Sequence, residues 1–180
     1  MDPKVRERED GGALFYAVKT VEWWTPKKFI DLAASTMGGI DLDPASCAAA
    51  NEIIRATTFY DQAIDGLTQT WTGRVWMNPP YGKATKFFVN KLLDEYSKGN
   101  VTQGIVLLSV NTVDRGWFKP LWDHTVCFTY GRVKFTTPEV DKIKKATSPP
   151  IGSVFAYIGD RQKEFAEQFS TVGAVLKKVQ

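Results

Sequence analysis

Four consecutive residues, Asn78-Pro79-Pro80-Tyr81, combine a carboxamide, two proline rings and a phenol directly after the apolar residues 75–77. A residue before proline is held out of the α-helical region, so Asn78 and Pro79 are both expected to be extended. Because the prolines also fix their own φ angles, the segment would present the Asn78 side-chain oxygen and the Pro79 carbonyl oxygen side by side. Two acceptors at a set spacing match the two hydrogens of a planar amino group, and Tyr81 could stack on the ring that carries it.

The chemistry that this motif favours is substitution at a conjugated amine, such as that of adenine or of an amide. The nitrogen of such an amine is a poor nucleophile, because its lone pair is delocalised. Two acceptors that pull on its hydrogens favour a tetrahedral nitrogen whose lone pair faces an electrophile, so no base with a shifted pKa is required. The alternative is a proline-rich turn that only ends a strand. A Ser-His-Asp or Cys-His set is disfavoured, since the chain contains one histidine, His124.

A second group of chemically active residues is the pair Asp41 and Asp43 in the sequence IDLD. In a strand these two carboxylates would project to one face, opposite Ile40 and Leu42. They could hold a divalent metal, or they could face an ammonium group, a sulfonium or a ribose diol. Phosphate is a poorer ligand, because the segment lacks the glycines that cradle phosphate. The simpler alternative for Asp43-Pro44 is the start of a helix.

Hydrophobic spacing predicts the elements that would position these motifs. Helices are expected at 25–39, 44–56 and 83–99 and from residue 163, and strands at 40–43, 57–60, 74–77, 104–110, 125–135 and 152–159, with a short strand at the end. Thr25 would cap the first helix, with Pro26 at its first helical position. Asp43 would cap the second helix, with Pro44 in the same place.

The alternation of strands and helices predicts an α/β fold with a mostly parallel, doubly wound sheet. The continuous apolar run 104–110 is typical of a parallel strand that is buried on both faces. The segments 125–135 and 152–159 would form an antiparallel hairpin, joined by a basic loop at about 136–150. Since ligands of open α/β sheets bind at the carboxyl ends of the strands, the two motifs are expected to meet at one edge.

The length of 180 residues predicts one domain, with a charged N-terminal arm at 1–20 and the folded domain at 21–180. Cys47 and Cys127 lack the spacing of a disulfide framework or a zinc site, which favours a reduced, intracellular protein. The longest apolar run is much too short to cross a bilayer, so no membrane role is expected.

Charge is distributed unevenly along the chain. Residues 41–70 carry five acids and one base, whereas residues 71–150 carry twelve bases and six acids. This asymmetry suits a cationic small ligand bound beside an anionic macromolecule. The alternative is ordinary solvated surface.

Taken in order, several motifs resemble the phage-type N6-adenine DNA methyltransferases, a Dam-like family. The resemblance is carried by EWWTP (22–26), IDLDPAS (40–46), FYDQAIDGL (59–67), WTGRVWMNPPYG (71–82), WF (117–118), GRVKF (131–135) and YIG (157–159). It implies a Rossmann-like, S-adenosylmethionine-dependent methyltransferase fold that methylates an adenine flipped out of double-stranded DNA, without a metal. It also implies a location in the bacterial host cytoplasm if the chain is phage-encoded.

The resemblance implies roles for individual residues. The catalytic motif would be Asn78, Pro79, Pro80 and Tyr81, and the cofactor would be bound by Thr25, Pro26, Asp41, Asp43, Pro44, Ala45, Asp65, Gly66 and Leu67. Here residues 46–48 replace the glycine-rich turn of broader methyltransferase patterns. Since no separate target-recognition domain is visible, DNA contacts are expected from loops, through Lys83, Arg132, Lys134, Lys142, Lys144 and Lys145. Arg132 could pair bidentately with a guanine.

Alternatives of other classes remain open at the level of sequence. The same chemistry could act on RNA adenine, on cytosine N4 or on a protein glutamine. A non-catalytic DNA-binding module would need only the basic loop and the aromatic residues. A metal-dependent nuclease could use Asp41 and Asp43.

Overall fold

In the computed structural model of the chain, the described residues are 23–136 and 151–179. Within these ranges the helices are α1 (Lys27–Met37), α2 (Ala48–Ile54), α3 (Thr85–Ser97) and α4 (Gln162–Phe169). The strands are β1 (Leu42–Asp43), β2 (Thr58–Phe59), β3 (Gly73–Met77), β4 (Val101–Ser109), β5 (Thr125–Thr129), β6 (Ser153–Ile158) and β7 (Gly173–Lys177). These strands form one mixed sheet in the order β2-β1-β3-β4-β6-β5-β7.

The sheet is divided between parallel and antiparallel pairing. Strands β2, β1, β3 and β4 are parallel neighbours, whereas β6 is antiparallel to β4 and β5, and β7 is antiparallel to β5. Half of the pairings are therefore antiparallel, and the prediction of a mostly parallel sheet is wrong. The cause is β6, which enters the sheet between β4 and β5. A strand such as β4 can thus be buried on both faces and still have one antiparallel neighbour.

Apolar side chains alternate between the two faces of the sheet. On one face, α1, α2 and α4 cover a cluster that includes Trp76, Ile105 and Phe155. On the other face, α3 and the 3₁₀ helix Gly116–Asp123 cover a cluster that includes Met77. Because Trp76 and Met77 are buried on opposite faces, β3 is held on both sides up to its last residue.

The first helix begins later than its sequence predicts. α1 starts at Lys27, and Pro26 occupies the cap position with an extended ψ of 138°. Thr25 is therefore not the cap, and Pro26 is not the first helical residue. The difference follows from the extended Pro26, which keeps Thr25 outside the helix, where that residue is buried.

The second helix also begins late, at Ala48 with Cys47 as its cap, so the predicted Asp43 cap and Pro44 start are wrong. The cause is a turn in the preceding residues. Asp43 Oδ1 accepts a hydrogen bond from the Ala45 N–H at 3.1 Å instead of capping the helix. The segment 44–47 is consequently a loop at the carboxyl end of β1.

Strand β5 ends at Thr129 and does not continue to residue 135 as predicted. Residues 130–135 still alternate like a strand, with buried Val133 and Phe135, but these side chains join the α1 side of the core. The closing helix and the short last strand are confirmed as α4 and β7. The predicted arm at 1–20 lies outside the described residues, as do residues 137–150 of the predicted loop.

Candidate active site

The carboxyl ends of β1 and β3 bring the two predicted motifs to the same edge of the sheet. Leu42 of β1 is in register with Val75 of β3, so Asp43 lies beside Trp76. Asn78 is the first residue after β3, two positions beyond Trp76. Strand spacing places the Asp43 and Asn78 backbones about 8 Å apart. A small ligand could therefore contact both side chains.

The two polar atoms of the Asn78 carboxamide have different surroundings in the described part of the chain. Its Nδ2 donates a hydrogen bond to the main-chain carbonyl of Trp23 at 3.2 Å. Its Oδ1 is buried, and within residues 23–136 and 151–179 no group donates to it. A buried acceptor without a donor is costly unless a ligand supplies one. The amide oxygen thus lacks the donor that a buried acceptor needs, as far as the described residues go.

The residues after Asn78 form a fixed loop that leads into α3. Pro79 is buried, while Tyr81 exposes 49% of its surface. The Thr85 hydroxyl donates to the Pro80 carbonyl at 2.7 Å and thereby ties the loop to the first residue of α3. The partly exposed Tyr81 therefore lies in a loop that is held in place by this hydrogen bond. Lys83 is exposed in the same loop.

Asp43 is a buried carboxylate with 1% of its surface exposed. Burial raises the pKa of Asp43 to about 7, and the hydrogen bond from the Ala45 N–H offsets only part of that effect. No cation of the described part of the chain contributes to the shift. A charged carboxylate in this position is stabilised by a cationic or hydrogen-bond-donating ligand, which fits the predicted role of Asp43.

Replacing Asp43 with asparagine should remove a pH dependence of stability. Folded Asp43 keeps its proton up to about pH 7, whereas the unfolded side chain releases it near pH 4, so the folded state binds more protons in this window. Its stabilising contribution is complete below about pH 4 and is lost as pH rises to about 7. Relative to Asp43→Asn, the wild type should lose up to about 4 kcal/mol of unfolding free energy over this range. Chemical denaturation of the ligand-free proteins at several pH values measures this loss, and parallel curves would contradict it.

The predicted pair of carboxylates does not form, because Asp41 is occupied elsewhere. Its carboxylate accepts hydrogen bonds from the Arg74 backbone N–H, from Nε and from Nη2, at 2.8, 2.8 and 2.6 Å. The Arg74 guanidinium also holds the pKa of Asp41 below its usual range. Arg74 is near the start of β3, about 13 Å of strand away from Asn78. Asp41 therefore links the amino ends of β1 and β3, and the structure does not bring it to Asp43 and Asn78.

The segment Asp65-Gly66-Leu67 packs directly against the loop that follows β1. Asp65 has a φ of 55° and accepts a hydrogen bond from the Leu67 N–H at 3.1 Å, which starts the 3₁₀ helix Gly66–Thr68. A Cβ atom on Gly66 would lie 2.0 Å from the Pro44 carbonyl oxygen. Glycine at this position thus allows two predicted cofactor-binding segments to touch.

Replacing Gly66 with alanine should destabilise the protein. The new methyl group would overlap the Pro44 backbone oxygen, and the Gly66 carbonyl is itself held by Trp71 Nε1 at 2.7 Å, so the segment cannot move freely. We expect a loss of about 3 kcal/mol or more, at the upper end of overpacking costs. Thermal unfolding measures the loss. Gly116→Ala is the matched control, because a Cβ there has nothing within 4 Å and should change the melting temperature little.

Residues 130–136 connect the end of β5 to Trp24. The end of β5 lies at the same edge of the sheet as the carboxyl ends of β1 and β3. Thr129 Oγ1 donates to the Ser153 carbonyl at 3.2 Å, and Ser153 is paired with the last residue of β4, so β5 ends at this edge. At its other end, the backbone of Thr136 pairs with that of Trp24 through hydrogen bonds of 2.7 and 3.0 Å. The predicted DNA contacts Arg132 and Lys134 are exposed along this segment.

The remaining predicted residues are Thr25, which lies near Trp23 in sequence, and three lysines outside the described part of the chain. Thr25 is buried two residues after Trp23, close in sequence to the group that holds Asn78. Lys142, Lys144 and Lys145 lie outside the described residues. Tyr130, which belongs to none of the predicted sets, exposes 76% of its surface two residues before Arg132.

Two classes of feature are absent from the described part of the chain. No group of three or more histidine, cysteine, aspartate or glutamate residues there could hold a metal ion. None of its helices combines the length and the apolar character that crossing a membrane requires. The nuclease that would use Asp41 and Asp43 on one metal thus has no support from the positions of these side chains.

Comparison with known proteins gives one family. The family model described as DNA N-6-adenine-methyltransferase (Dam) matches residues 17–176. No curated protein matches the chain.

Proposed function

This chain belongs to the DNA N-6-adenine-methyltransferase (Dam) family, and on that premise we propose that it transfers a methyl group from S-adenosylmethionine to the N6 amine of an adenine flipped out of double-stranded DNA. The observation that carries the proposal is the buried Oδ1 of Asn78, to which no described residue donates a hydrogen bond. An exocyclic amine has two hydrogens to donate, and Oδ1 with the Pro79 carbonyl would accept both. Tyr81 would stack on the extruded base.

The reacting amine needs orientation more than proton removal before transfer. Acceptors at Asn78 and Pro79 would turn the nitrogen lone pair toward the methyl donor and would hold it in line for displacement. Forming the nitrogen–methyl bond would break the sulfonium–methyl bond, so the donor would leave as S-adenosylhomocysteine. The methylated nitrogen would then be acidic enough to release its proton to water. The chain therefore needs no general base at Asn78, which agrees with the neutral carboxamide at this position.

The residues around Asp43 fit S-adenosylmethionine. Asp43 offers a buried carboxylate without a cationic partner among the described residues, and the ligand carries an ammonium group, a sulfonium and a ribose diol. The touching segments at Pro44 and Gly66 form one wall beside it. We propose Thr25, Pro26, Asp43, Pro44, Ala45, Asp65, Gly66 and Leu67 as the cofactor-binding set, without Asp41. S-adenosylmethionine supplies the electrophilic methyl group when bound.

The finer description of the fold belongs to the same proposal. A Rossmann-like methyltransferase sheet, with residues 21–180 as one catalytic domain, is consistent with a ligand site at the carboxyl ends of parallel β1 and β3. Arg132 and Lys134, at the same edge, would contact DNA, together with Lys83, Lys142, Lys144 and Lys145. The antiparallel part of the sheet would then carry the DNA-binding segment.

Methyl transfer to several acceptors offered in parallel tests the proposal. Tritiated S-adenosylmethionine should label duplex DNA, and sequencing that detects modified bases should find N6-methyladenine in DNA from cells that express the chain. Label found in RNA, in cytosine or in protein glutamine would assign the same chemistry to another acceptor. DNA binding without any methyl transfer would support a non-catalytic module and would contradict the proposal.

A further inference from the structure

The hydrogen bond between Trp23 and Asn78 determines which end of the Asn78 carboxamide faces the site. A main-chain carbonyl can only accept hydrogen bonds. It therefore attracts the Asn78 NH₂ group, at 3.2 Å, and disfavours the amide oxygen in the same place. The oxygen must then point the other way, where it is buried and without a donor in the described part of the chain.

The opposite orientation would be unproductive for an amine substrate. With the carboxamide turned over, its NH₂ group would face the hydrogens of the incoming amine, and two donors would meet. The Trp23 carbonyl thus does more than accept a hydrogen bond. It also disfavours the flipped orientation of the Asn78 carboxamide, which has nearly the same shape. This role belongs to the main chain, so the type of residue 23 does not reveal it.

The carbonyl is itself held in place by its neighbours. Trp24 and Thr136 exchange backbone hydrogen bonds of 2.7 and 3.0 Å, which fixes the peptide after Trp23. Thr25 is buried and precedes Pro26, so its backbone is restricted as well. The acceptor is therefore positioned before any substrate arrives.

We infer that the main-chain carbonyl of Trp23 is a positioning group that orients the Asn78 carboxamide and makes the site require an amide, not a carboxylate, at this position. The inference rests on the proposed function and adds the reason for its choice of side chain. A carboxylate would place a negative oxygen against the Trp23 carbonyl oxygen. A protonated carboxyl would not, because its O–H could donate to Trp23 while its other oxygen faced the site.

The variant Asn78→Asp tests this with a pH profile. At about pH 8 its turnover should be roughly 100-fold below wild type, the usual cost of losing one oriented catalytic group. As pH falls, its turnover should rise relative to wild type by about tenfold per pH unit, because the protonated fraction of the introduced carboxyl rises tenfold. A ratio to wild type that is constant with pH would overturn the inference.

Two NMR measurements decide the inference without relying on activity. In Asn78→Asp, the introduced carboxyl should titrate well above the ordinary aspartate value of about 3.9. In wild type, the Asn78 side-chain amide protons should exchange more slowly than those of Asn90, which is exposed on α3. Asn90→Asp is the control, and its carboxyl should titrate normally.

A normal titration at position 78, or equal exchange of the two amides, would overturn the inference even in an active enzyme. An inactive wild type would instead contradict the proposed function, with both NMR results still interpretable.

Discussion

Replacing Asn78 with alanine should lower methyl transfer to DNA by about a thousandfold, the upper range for removal of one preorganised hydrogen-bonding group. The variant lacks the Oδ1 acceptor, so the amine would keep only the Pro79 carbonyl and would no longer be held in one orientation. The cofactor-binding segments at Asp43 and Gly66 do not depend on this side chain. Affinity for S-adenosylmethionine should therefore remain within a few-fold of wild type, measured by calorimetry beside single-turnover methylation of DNA.

The control for this variant is Asn90→Ala, the same chemical change on an exposed position of α3. It should leave both cofactor affinity and methyl transfer unchanged. Near-normal turnover of Asn78→Ala would remove Asn78 from the catalytic assignment. A loss of turnover accompanied by an equal loss of cofactor binding would show a structural role at the edge of β3 instead.

A geometry for the candidate catalytic motif could be predicted from sequence because adjacent residues set it. Proline fixes its own φ and restricts the residue before it, so the extended conformation of Asn78 and Pro79 follows from two adjacent residues. Its place at the end of a strand also follows from the apolar residues before it. The structure adds that Asn78 Oδ1 is buried without a donor among the described residues, and that Asn78 Nδ2 is held by the carbonyl of Trp23, 55 residues away.

The different surroundings of Asp41 and Asp43 could not be predicted from sequence. Alternation predicts Asp41 and Asp43 on one face, opposite Ile40 and Leu42, but this is wrong, because β1 begins only at Leu42 and Ile40 lies in the core on the opposite face from Leu42. Alternation also does not reveal what each carboxylate meets on the neighbouring strand. The register of β1 against β3 brings Arg74 to Asp41 and leaves Asp43 buried without a cation among the described residues. Asp41 forms an ion pair with Arg74, and only Asp43 would be left for the proposed ligand. Only the pairing of strands separates these two outcomes.

The antiparallel half of the sheet was misjudged for a similar reason. An apolar run indicates that a strand is buried, but the direction of its neighbours is set by how the chain returns to the sheet. β6 enters between β4 and β5, and this brings the end of β5 to the edge that holds Asn78. The segment that follows β5 then ends at Trp24, next to the residue whose carbonyl accepts the Asn78 hydrogen bond.

Reversing the charge of Arg132 and Lys134 together should weaken DNA binding by about 100-fold at moderate salt, since neither side chain could still bind a phosphate or a base edge and both would repel the DNA. The segment is held by buried Val133 and Phe135, so the two exposed side chains can change without loss of the fold. The dependence of affinity on salt should also become less steep, by about one unit of log–log slope for each phosphate that the variant no longer neutralises. Fluorescence anisotropy of labelled duplex DNA at several salt concentrations measures both effects.

The matched control is the double variant Lys163→Glu and Lys177→Glu, which makes the same type of charge reversal at the opposite edge of the sheet. Lys177 of β7 lies opposite Thr125, the first residue of β5, in the sheet. Lys163 lies in the first turn of α4. Both are exposed. If net charge alone attracts DNA, the two double variants should lose affinity equally. If the segment after β5 binds the DNA, only the Arg132 and Lys134 variant should lose affinity. Its turnover at saturating DNA should stay near wild type, because the hydrogen bond between Trp23 and Asn78 is intact.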